Sequence, residues 1–155
     1  MKAMLARKHY ERLCQALDER EWNYEKEEDK LLVHFGVSGD DIPMNMVIFI
    51  DQDREVVRLY SPMGFQVDED KRIEMALASC TATYGLADGS FDFNMGDGNI
   101  IFRMSHSYRD SQLGVQFFHY MISCACATVD DYNDKFLAIA NGVLSIGDFL
   151  NERLN

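Results

Sequence analysis

The residues best placed to do chemistry stand at Asp92 to Asn99, DFNMGDGN, where acids, amides and glycines crowd together. Such a group offers oxygens to a hard cation, and its opening Asp-x-Asn-x-Gly invites comparison with a calcium loop. Asp92 and Asn94 suit the first and third ligand positions. The fifth falls on Gly96, which has no side-chain oxygen. The sixth falls on Asp97, where the sharp turn needs Gly, and the last on Arg103, a cation where a bidentate Glu belongs. A tight turn fits better. Phe91, Phe93 and Met95 alternate before the glycines, and Ile100, Phe102 and Met104 alternate after them. This predicts a β-hairpin closed by Gly96-Asp97-Gly98-Asn99. The same glycines lie between strands instead of opening a helix, so they are not a dinucleotide-binding loop.

The other reactive side chains are scattered. His9, His34, His106 and His119 form neither an HExxH pair nor zinc-type Cys/His spacing. His106 lies between Ser105 and Ser107 near a strand end, where adjacent side chains leave opposite faces and make no dyad. Cys124 and Cys126 fall in a helical pattern, two residues and therefore about 200° apart, so they cannot grip one ion or form one disulfide. Cys14 and Cys80 sit on apolar helical stripes and are expected to pack as small hydrophobes. Gly-x-Ser-x-Gly and Walker patterns are missing, and pairs such as Asp40-Asp41 and Asp130-Asp131 are ordinary in so acidic a chain. No catalytic residue, cofactor-binding residue or metal ligand is expected, and the sequence reads as that of a non-enzyme.

Charge narrows the partners. Fifteen basic against 26 acidic residues give a formal charge of −11. Both nucleic acid and anionic lipid would repel such a chain, so neither is an expected partner. The opening MKAMLARKHYERL has no apolar run of signal-peptide length and no later stretch approaches a membrane span, which makes the cytoplasm the expected location. At 155 residues and 47% apolar, the chain suffices for one core, and residues 1–155 are expected to form a single domain.

The elements that must position these residues follow from periodicity. Ala6, Tyr10, Leu13, Cys14 and Leu17 mark one face of a first helix. The acidic run Glu25 to Asp29 reads as a solvated approach to a strand. Three antiparallel strands follow, through Leu31, Val33, Phe35 and Val37, then Met44, Met46, Ile48 and Ile50, then Val56 to Tyr60, with Ser61-Pro62 ending the meander. Asp68-Glu69-Asp70 favours a helix start, and Ile73, Leu77, Cys80 and Tyr84 mark its apolar face, with Gly85 to stop it. The hairpin comes next. A long helix carries Phe118, Ile122, Ala125, Val129, Tyr132, Phe136 and Ile139. After Asn141-Gly142, Ser145 and Asp148 resemble a capping box for a short last helix. The class is α+β.

This order is similar to the type III secretion chaperone-like fold, and the second half resembles the YbjN family of bacterial proteins, proposed sensory transduction regulators. The resemblance is carried by ATYGLADGSFDFNMGDGNIIFR (Ala82 to Arg103), with Tyr84-Gly85 ahead of a Phe-x-Phe strand, and by CATVDDYNDKFLAIANG (Cys126 to Gly142), with Asp130-Asp131-Tyr132 followed by Phe136. It implies no catalytic residue. It implies a homodimer that binds extended segments of a client protein, a chaperone-like adapter or regulator. The alternative is a small-molecule-sensing domain with its ligand between sheet and helices. Met44, Met46, Met95 and Met104 fall in expected strands, where flexible, polarisable side chains suit a surface that meets varied partners, and they are the expected partner-binding residues.

Overall fold

The computed structural model describes residues 1–154. Helix α1 (Lys2–Glu19) buries the expected stripe of Ala6, Tyr10, Leu13, Cys14 and Leu17, together with His9 and Ala16. Strands β1 (Glu25–Glu27), β2 (Leu32–Val37), β3 (Met44–Asp51) and β4 (Val56–Gln66) lead to helix α2 (Arg72–Tyr84). Strands β5 (Ser90–Phe93) and β6 (Asn99–Ser107) form the hairpin, followed by α3 (Val115–Ala140) and α4 (Ile146–Leu154). The six strands make one antiparallel sheet in the order β1-β2-β3-β4-β6-β5. The α+β class is that expected from the sequence, and so is the element order apart from β1.

Two strands depart from the expectation. The run Glu25 to Asp29 is not all loop, because Glu25, Lys26 and Glu27 pair with His34, Val33 and Leu32. An edge strand tolerates charged side chains that a central strand would not, so apolar alternation does not reveal it. Ser61-Pro62 does not end the meander either, since β4 runs on to Gln66. Its pairing with β3 stops at Tyr60, whereas pairing with β6 continues through Pro62 opposite Ile101 and on, after a register shift, to Gln66 opposite Asn99. On its free side Pro62 has no neighbour that needs an N–H, which is where a sheet accepts proline.

Alternation then sorts the two faces. Cross-strand partners share a face, and the row Phe35, Met46; Val33, Ile48, Leu59, Met104; Ser61, Phe102, Phe91 is buried beneath α1 and α3. Helix α3 places Phe118, Ile122, Ala125, Val129, Tyr132, Phe136 and Ile139 on it, all buried. Rings of Phe91, Tyr132 and Phe136 meet at 5.0 to 5.7 Å between centroids. Among the described residues no helix covers the opposite face of the sheet. There Leu32, Val47, Phe49, Tyr60 and Ile101 remain half-buried, and the rings of Phe49 and Tyr60 stack at 5.8 Å.

Helix α2 stands at the other edge, against β5 and α4. Thr83 seals that edge: its hydroxyl accepts the Phe91 N–H at 2.9 Å and donates to the Phe91 carbonyl at 3.4 Å. The short α4 is held by Phe149, fully buried, and by Ser145, whose Oγ accepts the Asp148 N–H at 3.1 Å as a capping residue should. No helix among the described residues is long and apolar enough to cross a membrane.

Candidate functional site

The Asp92–Asn99 stretch spends its oxygens on its own backbone. Asn94 Oδ1 accepts the Gly96 N–H at 2.8 Å, and Asp97 Oδ1 accepts the Asn99 N–H at 2.9 Å. Gly98 takes φ +79°, and a Cβ there would collide with the Val67 carbonyl, whose own residue donates its N–H to the Gly98 oxygen. Arg72 closes the turn from outside by donating to the Met95 and Gly96 carbonyls at 3.3 and 3.1 Å. Asp92 pairs with Arg103 at 2.9 Å, so the residue that spoils the calcium motif holds its first acid instead.

The histidines are kept apart by the fold, each with a different neighbour. His9 is fully buried, its ring 4.4 Å from that of Tyr108, and its Nε2 accepts the Leu113 N–H at 3.1 Å. Burial, with Arg12 and Lys8 nearby, lowers its pKa. His119 meets Glu19 at 2.9 Å and ties α3 to the end of α1, and the same contact lowers the Glu19 pKa. His34 faces Glu25 across the β1–β2 pair, and His106 lies against the Phe117 ring at 4.8 Å. Among the described residues no three His, Cys, Asp or Glu side chains are grouped to hold a metal ion.

Two groups of residues sit elsewhere than expected. Met44, Met46 and Met104 are 5%, 0% and 7% exposed and fill the core between sheet and helices, so together they make no open face for a partner segment. Alternation had put Met44 and Met46 on one face, but which face only the helices decide. Met95, at the hairpin tip, is the one of the four left in the open, at 49%.

The second correction concerns α2. Ile73, Leu77, Cys80 and Tyr84, expected as its buried face, are all exposed, Ile73 at 71% and Tyr84 at 90%. The helix instead buries Met75, Ala78, Ser79 and Ala82, roughly half a turn around. Both faces lack charge, so periodicity marks two stripes. Ala78, Ser79 and Ala82 are small enough to let the helix backbone approach β5 and α4 closely, which the bulkier stripe could not. Of the eight large apolar residues left exposed, three therefore line one helix face. Scattered exposed hydrophobes need no explanation, but a row of them at helical spacing does.

Two further exposed apolar residues, Met95 and Val143, are tied to the N-terminal end of α2 through its basic residues. Arg72, one residue before Ile73, grips the hairpin tip that carries Met95. The Lys71 side chain lies beside Gly142, next to exposed Val143. Cys80 in the middle of the row is exposed, and all four thiols are free; burial pushes the Cys14 pKa up, and that of Cys126 to about 11. Residue types alone did not separate the two faces, since both are uncharged and the buried one carries Met75 beside small residues.

A smaller concavity lies on the other side of β5. Its walls come from the turn before β5, the end of β6 and the first turns of α3, and it encloses about 220 Å³. Tyr120 donates its hydroxyl to Asp88 across the mouth. Gly89, at φ +81°, permits the close approach, because a Cβ there would strike the Phe102 ring.

No family model matches the chain, and no curated protein matches it. Solved structures share its fold. YbjN from E. coli, described as a candidate transcription regulator, superposes with a TM-score of 0.60 over 84% of this chain and 90% of that one, at 11% identity. A chain of the HopA1–SchA chaperone–effector complex superposes with a TM-score of 0.54 over 79% of this chain and 90% of its own, at 12% identity. The chain thus has the fold of YbjN and of a chain of the HopA1–SchA complex, the fold that its element order resembled.

Proposed function

We propose that the chain is a single-domain, non-enzymatic adapter that binds a protein client in the cytoplasm as a homodimer, with the α2 row as the contact between copies. The observation that carries this reading is the exposed row Ile73, Leu77, Cys80 and Tyr84 on a helix whose opposite face is packed. A row of this kind is self-complementary when two helices cross about a two-fold axis, so one stripe serves both partners. Met95 and Val143 extend the contact at the N-terminal end of α2. The likeness to a chaperone in complex with its effector supports a protein as client. The helix-free face of the sheet, with Phe49 and Tyr60 at its centre, stays open in such a dimer and is left to the client.

Sedimentation equilibrium tests the reading. The native chain is expected to sediment as a dimer at micromolar concentration, and Ile73→Glu with Leu77→Glu as a monomer of unchanged circular dichroism. A native chain that stays monomeric up to about 100 μM, weaker than almost any specific homodimer, sinks it. A second reading, a domain that senses a small molecule, is favoured by one observation only, the pocket between β6 and α3 that Asp88 and Tyr120 border.

A further inference from the structure

We propose that the pocket between the end of β6 and the start of α3 binds a small organic cation, an ammonium or guanidinium head on a slim apolar stem. The proposal rests on the second reading above and names its ligand class. Asp88 supplies the charge. None of the twelve ion pairs among the described residues involves it. Its one hydrogen bond comes from the Tyr120 hydroxyl, which orients the carboxylate and leaves its remaining lone pairs free. No Lys or Arg lines the pocket to stand in a visitor's place.

The walls suit the rest of such a ligand. Phe117 and His106, rings 4.8 Å apart, and the Tyr120 ring present aromatic surface to the same space, and a cation near an aromatic face gains attraction from the ring quadrupole. Met104 and Met121, both buried, form an apolar floor that fits a short alkyl stem. An anion would meet Asp88 and a protein of charge −11, and a large ligand would not fit, since drug-sized sites begin near about 300 Å³. The ligand could be a free amine or a basic side chain of the client, and both present the same head and stem.

Amide-resolved NMR titration of the full chain with butylamine, and with butanol as its neutral counterpart, decides the matter. The expected result is saturable shifts at Asp88, Gly89, Ser105 and Tyr120 with butylamine, at a Kd on the order of 1 mM for one charge-assisted contact, and none with butanol. Asp88→Asn should weaken the response at least about tenfold, whereas Asp110→Asn, at an exposed acid that does not line the pocket, should not. A capped Arg-containing tripeptide that binds more tightly than butylamine would assign the site to a client side chain, and one that binds more weakly would assign it to a free amine. The proposal is overturned if butylamine and butanol act alike, if nothing saturates, or if Asp88→Asn binds as before. Should Asp88→Asn fail to fold, the butylamine and butanol comparison on the native chain still decides. Saturation by a neutral or anionic compound alone would overturn the cation and leave the sensing reading standing; silence from every compound would end both.

Discussion

His9 shows how one side chain can set a pH limit on this fold. It is fully buried, and its Nε2 must carry a lone pair to accept the Leu113 N–H. Protonation removes that lone pair and places a charge among apolar groups, which burial and the neighbouring Arg12 and Lys8 oppose. The folded pKa therefore lies below the ordinary 6.5. A lowered folded pKa means that the unfolded chain binds the proton first, so this contribution is whole above about pH 6.5 and declines as pH falls toward the folded value. Urea unfolding of the native chain should accordingly lose more stability between about pH 7.5 and 5.5 than that of His9→Gln, which can still accept the Leu113 N–H without titrating. Equal losses would remove His9 from the account. The residue scale was only partly legible beforehand: His9 lay one position off the expected stripe of α1, and nothing in its neighbours Lys8 and Tyr10 announced a partner 104 residues away.

At the scale of elements, α2 carries the largest discrepancy and the sharpest test. If Met75, Ala78, Ser79 and Ala82 are the packed face, its small residues are there because β5 and α4 lie close. Ala78→Leu should then strain the contact and cost about 1–3 kcal/mol. Leu77→Ala, one position along and on the exposed face, should change the stability of the dilute protein by no more than about 0.5 kcal/mol. Thermal denaturation at low concentration would reveal an inverted ranking if the larger stripe were the buried one. Strands were more legible than helices. In β3 every second residue from Met44 to Ile50 is buried as alternation requires, because period two admits only two faces. Three charged residues at an edge leave no apolar trace of β1, and the far end of β4 is hidden because the sequence does not tell which side of Pro62 lacks a neighbour.

For the whole molecule, net charge opposes the association that the α2 row invites. Two copies at −11 each repel one another, and that repulsion reaches about 30 Å at 0.01 M salt but only about 10 Å at 0.1 M. An apolar contact gains as the repulsion is screened. Raising sodium chloride between those concentrations should tighten self-association, read as a falling dissociation constant in sedimentation equilibrium. Weakening with salt would mean that ion pairs between copies hold the contact, and the α2 row would lose its role.

Local periodicity and turn chemistry by themselves determined the order of helices and strands, the hairpin at Gly98, the long apolar stripe of α3 and the cap at Ser145, because each depends on residues a few positions apart. They also placed Met44 and Met46 on a common face. Tertiary structure alone decided which face was inside. The same alternation serves a methionine row under a helix or open to a partner, and the same helix may present either of two uncharged stripes to its neighbours. Those choices rest on which surfaces fit together at close range, between segments far apart in the chain: α2 against β5 and α4, and Tyr120 against Asp88. The candidate surfaces of this protein are thus the places where packing left a stripe uncovered or a carboxylate without a cation beside it, and spacing along the chain carries no record of that.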